Sequence, residues 1–240
     1  MWKIIKFLLK LFLILAIITS AFYIYSGYEV YEEAIADMPI DEKIKEIKSN
    51  ENYTKLDEMP NMYKEAVIAV EDHRFYIHNG IDVISITRAI INDVKAMSFV
   101  EGGSTITQQL TKNVYFTQEK KLTRKIAEVF MAFAFEKKCT KDEILELYLN
   151  SSYFGDGCYS VSEASRHYFN KEPIDMNDYE CTLLAGIPNA PSVYAPTKNP
   201  KLAKQRQRQV LDKMVEYGKI SVEYANEILQ KSYEEWVMNF

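Results

Sequence analysis

Residues 70–82 read VEDHRFYIHNGID and bring together three carboxylates and two of the three histidines of the chain. The carboxylates are Glu71, Asp72 and Asp82, and the histidines are His73 and His78. Such a cluster is compatible with a metal site, with the acid of a glycan-cleaving enzyme, or with a solvated turn after a helix. The rest of the chain has to decide between these interpretations.

The two histidines do not favour a metal site. A metal ion needs three or four ligands that converge on one point. His73 and His78 lack the i, i+4 spacing of a helical zinc pair. Glu71 differs, because it ends the apolar run AVIAV, where burial can adapt a carboxylate to acid–base work. By itself, the pair Glu71-Asp72 is equally compatible with a helix end that meets solvent.

The N-terminal segment indicates a membrane anchor. Residues 11–25 read LFLILAIITSAFYIY, and about 20 such residues cross a bilayer of roughly 30 Å. Basic residues precede this run, and none follows it before Lys43, so we expect a cytoplasmic N-terminus. The basic residues are Lys3, Lys6 and Lys10. A cleaved signal peptide is the alternative, but the run is long for one and lacks a clean small-x-small cleavage site.

Composition divides the 240 residues into four segments. We predict a cytoplasmic tail over residues 1–10, a single-pass anchor over 7–26, a polar stalk over 27–58 and a folded domain over 59–235.

The net charge of −5 argues against a nucleic-acid partner. The cysteines form no CxxC pair and indicate small core or surface residues rather than disulfides or a zinc site. They are Cys139, Cys158 and Cys181.

Helical patterns dominate the folded domain, and strand-like alternation is nearly absent. Capping-box spacing occurs at Thr140 to Glu143 and again at Asn177 to Glu180, ahead of apolar runs. In residues 85–97, four apolar side chains share one face of a predicted helix: Ile86, Ala89, Ile90 and Val94. The fold is therefore predicted to be mainly α.

A predicted helix after Gly103 has two different faces. The residues Ile106, Leu110 and Val114 form an apolar face, whereas another face carries Thr105, Gln108, Gln109 and Lys112. Solvated faces usually favour Glu and Lys over Thr and Gln. A glycine-led helix start also lets backbone N–H groups approach an anion or a sugar closely. A solvated face and a binding face both remain open on this pattern alone.

The segment KNVYFTQEKKLTRK, residues 112–125, carries five bases against one acid. Arg124 and Glu128 are four residues apart, so an intrahelical ion pair is the simplest interpretation of their spacing. The alternative is a cationic pocket for a phosphate, formed by Lys112, Lys120, Arg124 and Lys125. Spacing alone favours the ion pair.

Five segments taken together are more specific than any one of these patterns. In chain order they read EDHRFYIHNGID, GGSTITQQLTKN, RKIAE, KDEILELYLNSSYFGDGCYSVSEASRHYF and LLAGIPNAPSVYAP. In wording and order they resemble the motifs of the peptidoglycan glycosyltransferases of family 51. These domains occur alone in monofunctional transglycosylases and at the front of class A penicillin-binding proteins. The resemblance implies a mainly α, lysozyme-like fold with two lobes and a cleft, behind one transmembrane helix.

The resemblance also implies a reaction, the polymerisation of lipid II into glycan strands. A β-1,4 link forms with inversion, and undecaprenyl pyrophosphate leaves. Glu71 would be the general base that deprotonates the 4-hydroxyl of the acceptor. A pyrophosphate leaving group needs positive charge where negative charge develops, whereas a glycosidase needs a protonated carboxyl beside the leaving oxygen. The basic segment after residue 111 suits the first requirement.

The remaining site residues follow from the resemblance by position. Glu128 would be a second catalytic carboxylate. Substrate binding would fall to Ser104, Thr105, Gln108, Gln109, Lys112, Asn113, Lys120, Arg124 and Lys125. Asp72 and Phe75 match positions with a structural role. The chain departs from the family at Lys120 and Ser151, where arginine is common, and at Ser160, where glycine is usual.

The expected partners are lipid II, the lipid-linked glycan chain and the membrane, together with transpeptidases or proteins of cell-wall elongation and division. No obligatory cofactor is expected, although Asp and His side chains near Glu71 could recruit Mg²⁺ or Mn²⁺ and stimulate the reaction. No Ser-x-x-Lys motif occurs, so we expect no penicillin binding. A lysozyme-like glycan hydrolase and a catalytically weak scaffold for cell-wall assembly are the alternatives.

Overall fold

A computed structural model describes residues 2–96, 102–117, 119 and 121–237. Its α-helices are α1 (Trp2–Asp37), α2 (Ile40–Lys48), α3 (Asn61–Glu71), α4 (Val83–Ala96), α5 (Ile106–Tyr115), α6 (Leu122–Lys138), α7 (Lys141–Leu149), α8 (Val161–Phe169), α9 (Asp178–Gly186), α10 (Pro191–Tyr194), α11 (Pro200–Glu216) and α12 (Val222–Val237). Short 3₁₀ turns lie at Leu56–Glu58, Pro173–Asp175 and Ile187–Asn189. The described residues form no sheet, so the mainly α prediction is confirmed.

The first helix extends beyond the predicted anchor. α1 runs without a break from Trp2 to Asp37, and an 18-residue window within it has a mean hydropathy of 2.3 with none of its residues buried. At about 1.5 Å per residue, such a helix is longer than a bilayer is thick. By length and composition, α1 can cross a membrane.

The C-terminal part of α1 packs against the folded domain. Gly27 is buried where α1 passes α6, and a Cβ atom added to it would lie 2.5 Å from Cγ2 of Ile126. Beside this contact, the ring of Phe130 lies 5.3 Å from that of Tyr28, edge to face. Only a residue without a side chain allows the two helices to approach so closely.

The structure therefore differs from the predicted polar stalk over residues 27–58. Ile40, at the start of α2, is 3% exposed and belongs to the main hydrophobic core. The backbone N–H of Thr54 donates to the Asn150 side chain at 2.8 Å, and the Asn150 amide donates back to the Thr54 carbonyl at 2.8 Å. The polar composition of this segment reflects its solvent side, whereas its apolar residues face the domain.

The core lies around α3, which packs against α9 and α11. On α5, Ile106 and Leu110 are fully buried, as the apolar face of the sequence predicts. α6 is apolar on two sides because it contacts both α5 and α1. The predicted helix over residues 85–97 is present as α4; along its predicted apolar face Ala89 is buried, whereas Val94 is 71% exposed.

Local sequence signals place the helix starts correctly. Thr140 accepts a hydrogen bond from the backbone N–H of Glu143, and Asn177 accepts one from that of Glu180, so both predicted capping boxes are confirmed. The cysteines are all free: Cys158 and Cys181 are buried and Cys139 is half-buried, in agreement with their predicted packing role.

Candidate active site

The end of α3 is fixed by Asp72, which follows Glu71. Asp72 leaves the helical conformation, with φ −161° and ψ 73°, and its side chain is 3% exposed. Its carboxylate pairs with Nε2 of His78 at 2.8 Å and accepts the backbone N–H of Ile106 at 3.0 Å. Asp72 therefore ties the end of α3 to the start of α5, which agrees with the structural role implied for it.

The start of α5 uses two residues that were expected to bind substrate. Thr105 accepts the N–H of Gln108 at 3.1 Å and donates its hydroxyl to the carbonyl of Gly80 at 2.7 Å. In return, the side-chain carbonyl oxygen of Gln108 accepts a hydrogen bond from the backbone N–H of Thr105 at 3.1 Å. This capping box satisfies helix-end donors that would otherwise be unpaired. Both side chains line the cavity, but these polar groups are already engaged within the fold.

Glu71 is the last residue of α3, and its side chain is 8% exposed. Its Oε2 accepts a hydrogen bond from Nε2 of Gln109 at 2.7 Å. Its Oε1 has no hydrogen-bond partner among the described residues, and a guanidinium nitrogen of Arg206 lies 3.7 Å from it. One carboxylate oxygen is thus held by an amide, and the other accepts no described hydrogen bond.

A cluster of cations lies on α5 and α6, close to Glu128. The Glu128 side chain is 1% exposed, its Oε1 contacts the guanidinium of Arg124, and its Oε2 accepts from Nζ of Lys125 at 2.9 Å. Nζ of Lys125 also donates to the Ser104 hydroxyl at 2.6 Å. The predicted intrahelical ion pair is present, and it forms part of a larger cationic group.

The electrostatics of this cluster favour an anionic ligand. Desolvation and the neighbouring charges of Arg124 and Lys112 lower the pKa of Lys125 to about 8. The pKa of Lys112 is lowered by desolvation and by Arg124, against the opposing charge of Glu71. Cations that are partly desolvated and repel one another are stabilised when a phosphate binds between them.

One cavity of about 710 Å³ joins Glu71 to this cluster. Most of the predicted site residues line it: Glu71, Ser104, Thr105, Gln108, Gln109, Lys112, Lys125 and Glu128. Arg124 is in contact with Glu128 but does not line the cavity, and neither does Asn113. Lys120 lies outside the described residues.

The two histidines have packing partners. His73 stacks on Tyr217 with ring centroids 4.1 Å apart, and His78 pairs with Asp72. Within the described part of the chain, no group of three or more His, Cys, Asp or Glu side chains is arranged to hold a metal ion.

The two serines at which the chain departs from the family, Ser151 and Ser160, both form hydrogen bonds with the nearby backbone. The Ser151 hydroxyl donates to the carbonyl of Leu147 at 2.7 Å, and Ser160 caps the start of α8.

A second wall of the cavity comes from α11 and was missed in the sequence. Arg206, Gln209 and Lys213 all line it, as does Tyr217. Their spacing of i, i+3 and i+7 places the first three on one helical face. This spacing could have indicated a binding face, but the basic composition of the helix obscured it.

Tyr148 on α7 was also missed in the sequence. Its hydroxyl donates to Oε1 of Gln109 at 3.3 Å, and only the fold brings these residues together.

Comparison with known proteins assigns most of the chain to one family. Residues 40–215 match the family model described as Transglycosylase. Penicillin-binding protein 1A of Neisseria flavescens is 44% identical over 189 residues, which are 78% of this chain and 24% of that protein. Penicillin-binding protein 1F of Bacillus subtilis is 42% identical over 220 residues, which are 88% of this chain and 31% of that protein. A Cupriavidus necator protein with the provisional name transglycosylase is 44% identical over 170 residues, 71% of this chain and 73% of its own length.

The penicillin-binding proteins are therefore much longer than the matched region, since the chain spans about a quarter to a third of their length. The family match, in contrast, covers most of this chain and includes every described residue of the cavity apart from Tyr217. By sequence, the chain belongs to the transglycosylase family.

Proposed function

We propose that this protein polymerises lipid II into glycan strands at the outer face of a membrane. The observation that carries the proposal is one cavity lined both by Glu71, one of whose carboxylate oxygens has no described hydrogen-bond partner, and by two lysines of the cationic cluster. Glycosyl transfer from a lipid pyrophosphate needs both of these groups, a base for the acceptor and positive charge for the leaving group.

Glu71 acts as the general base. Its Oε1 takes the proton from the acceptor's 4-hydroxyl as that oxygen attacks the anomeric carbon of the donor chain, and the configuration inverts. Attack from the face opposite the leaving group agrees with a base that approaches from α3 while the cations lie on α5 and α6. Glu71 must be ionised for this role.

The leaving pyrophosphate is stabilised by Lys112 and Lys125. Both lysines line the cavity, and their lowered pKa values express the unfavourable burial of charge that a phosphate would relieve. Arg124 acts through Glu128, which holds the cations in place. Ser104, hydrogen-bonded to Lys125, lies where a donor sugar or phosphate would contact it.

The alternative of a glycan hydrolase fits the site less well. A hydrolase needs one carboxyl group that stays protonated to donate to the leaving oxygen. Here the second carboxylate, Glu128, instead contacts the cations Arg124 and Lys125, and positive charge suits a leaving group on which negative charge develops.

The proposed location is a cell membrane with the N-terminus in the cytoplasm. The lysines that precede the apolar run support this orientation. α1 continues from the apolar run directly to its contact with α6, so the cavity would be held near the outer membrane surface, where a lipid-linked substrate resides. Transpeptidases and proteins of elongation or division are the proposed partners.

Incubation of the purified full chain with lipid II tests the proposal. We expect glycan strands that are absent when moenomycin, the donor-site inhibitor implied by the family resemblance, is added. Parallel reactions with preformed strands, and with Mg²⁺, Mn²⁺ or a chelator, measure hydrolysis and divalent stimulation. Cleavage of preformed strands without polymerisation would replace the proposal by the hydrolase, and no reaction under any condition would favour the scaffold.

A further inference from the structure

The two oxygens of Glu71 have different environments. Oε2 receives the Gln109 amide at 2.7 Å, whereas Oε1 has no hydrogen-bond partner within the described chain. A carboxylate that is to act as a base benefits from such asymmetry, because one oxygen fixes the group and the other stays available for the proton. The question is what keeps Gln109 in the orientation that holds Oε2.

Tyr148 contacts the far side of the same amide. Its hydroxyl donates to Oε1 of Gln109 at 3.3 Å, and its side chain is 1% exposed. The three residues come from α7, α5 and α3, and they form a continuous path from Tyr148 through Gln109 to Glu71. Because Tyr148 is buried, the Gln109 carbonyl is satisfied by protein on a side that water does not readily reach.

The protonation state of Tyr148 suits the role of a donor. Burial raises the pKa of its hydroxyl well above the usual value, and the charge of Glu71 raises it further. The hydroxyl therefore keeps its proton at physiological pH. If the amide of Gln109 turned over, its carbonyl oxygen would face the Glu71 carboxylate, and two acceptors would meet without a proton between them.

We infer that Tyr148 is a positioning residue for the reaction, acting through Gln109 to hold Glu71 with Oε1 directed at the acceptor hydroxyl. This inference rests on the proposed function. It also changes the role of Gln109, which was expected to bind substrate and here holds the base. Tyr148 itself does not line the cavity, so we expect no contact between it and the substrate.

The first test is Tyr148→Phe in the full chain, assayed for lipid II polymerisation. Removal of the hydroxyl should lower kcat about fivefold, the factor expected for one net hydrogen bond, and leave KM unchanged. Tyr63→Phe is a matched control. Tyr63 is also fully buried, on the same helix as Glu71, and its hydroxyl has no described hydrogen-bond partner. We expect Tyr63→Phe to retain the wild-type kcat.

A double-mutant cycle separates positioning from a purely structural effect. Once Gln109→Ala has removed the intermediate residue, Tyr148→Phe should change kcat by less than about twofold. An equal loss of kcat in both backgrounds would overturn the inference, as would a wild-type kcat for Tyr148→Phe. If Tyr148→Phe fails to fold, Gln109→Ala alone decides: a lower kcat at constant KM supports the inference, and a raised KM at constant kcat overturns it.

Failure of the inference is distinguishable from failure of the proposed function. If the wild-type protein forms no strands from lipid II, the proposed function fails and the inference falls with it. If the wild type forms strands and the cycle gives additive effects, polymerisation stands and only the role of Tyr148 is refuted.

Discussion

The lowered pKa of Lys125 makes polymerisation sensitive to alkaline pH. This lysine, hydrogen-bonded to Ser104 and Glu128, has its pKa lowered to about 8 by desolvation and by Arg124 and Lys112. A lowered pKa means that the lysine loses its charge as pH rises through that value. Since the charged form is the one that stabilises pyrophosphate, activity is expected to fall on the alkaline side.

The size of the effect follows from the titration. With a pKa of about 8, roughly nine-tenths of the lysine is charged at pH 7 and about one-tenth at pH 9. Because loss of one electrostatic stabiliser typically costs 10²–10³ in rate, the uncharged enzyme contributes little. The value of kcat/KM, which reports the free enzyme, should therefore fall about tenfold from pH 7 to pH 9. The pKa of Lys112 is also lowered, so loss of its charge at high pH should decrease kcat/KM further.

Lys125→Arg tests this reasoning, because arginine stays protonated throughout the range. Initial rates of lipid II polymerisation between about pH 6.5 and 9.5, on both sides of the Lys125 pKa of about 8, give kcat/KM for each protein. We expect the alkaline limb of the variant to lie at higher pH than that of the wild type. Lys121→Arg is the matched control, since Lys121 is 68% exposed, pairs with Glu119 and does not line the cavity. Coincident profiles for the wild type and Lys125→Arg would refute the reasoning.

Three further changes test other parts of the site and fold. Lys112→Ala should lower turnover by roughly 10²–10³, and a near-wild-type rate would remove Lys112 from the mechanism. Gly27→Val should lower the free energy of unfolding by about 1–3 kcal/mol, because its side chain would overlap Ile126; an unchanged Tm in detergent would contradict this. Asp72→Ala should cost about 3 kcal/mol, because it leaves buried His78 and a helix-start N–H without their acceptor; a loss below about 1 kcal/mol in denaturant unfolding would contradict it.

Local patterns in the sequence were sufficient for the helices. The capping boxes at Thr140 and Asn177 and the buried face of α5 are encoded within a few residues, and the structure confirms them. The position of a residue along α5 was less informative about the function of its side chain. Thr105 and Gln108 share a face with Lys112, yet they close the capping box, a use of side chains that periodicity does not distinguish from substrate binding.

Contacts between distant segments were not predictable in this way. Arg206 approaches Glu71, and Tyr148 reaches Gln109, only because α11 and α7 pack beside α3 and α5. Contacts between distant segments also explain why residues 27–58 pack against the folded domain. Its average composition is polar, and what determined its position was the apolar side of α2 together with the absence of a side chain at Gly27.

The most direct test of the account compares the wild-type chain with Glu71→Gln in lipid II polymerisation. Glutamine keeps the size of the side chain and can still accept from Gln109, but it cannot take up a proton. We predict that the wild type forms glycan strands, and that the variant is slower by at least about 10²-fold while still binding moenomycin. Strand formation by Glu71→Gln at the wild-type rate would contradict the account, because the proposed base would then have no part in the reaction.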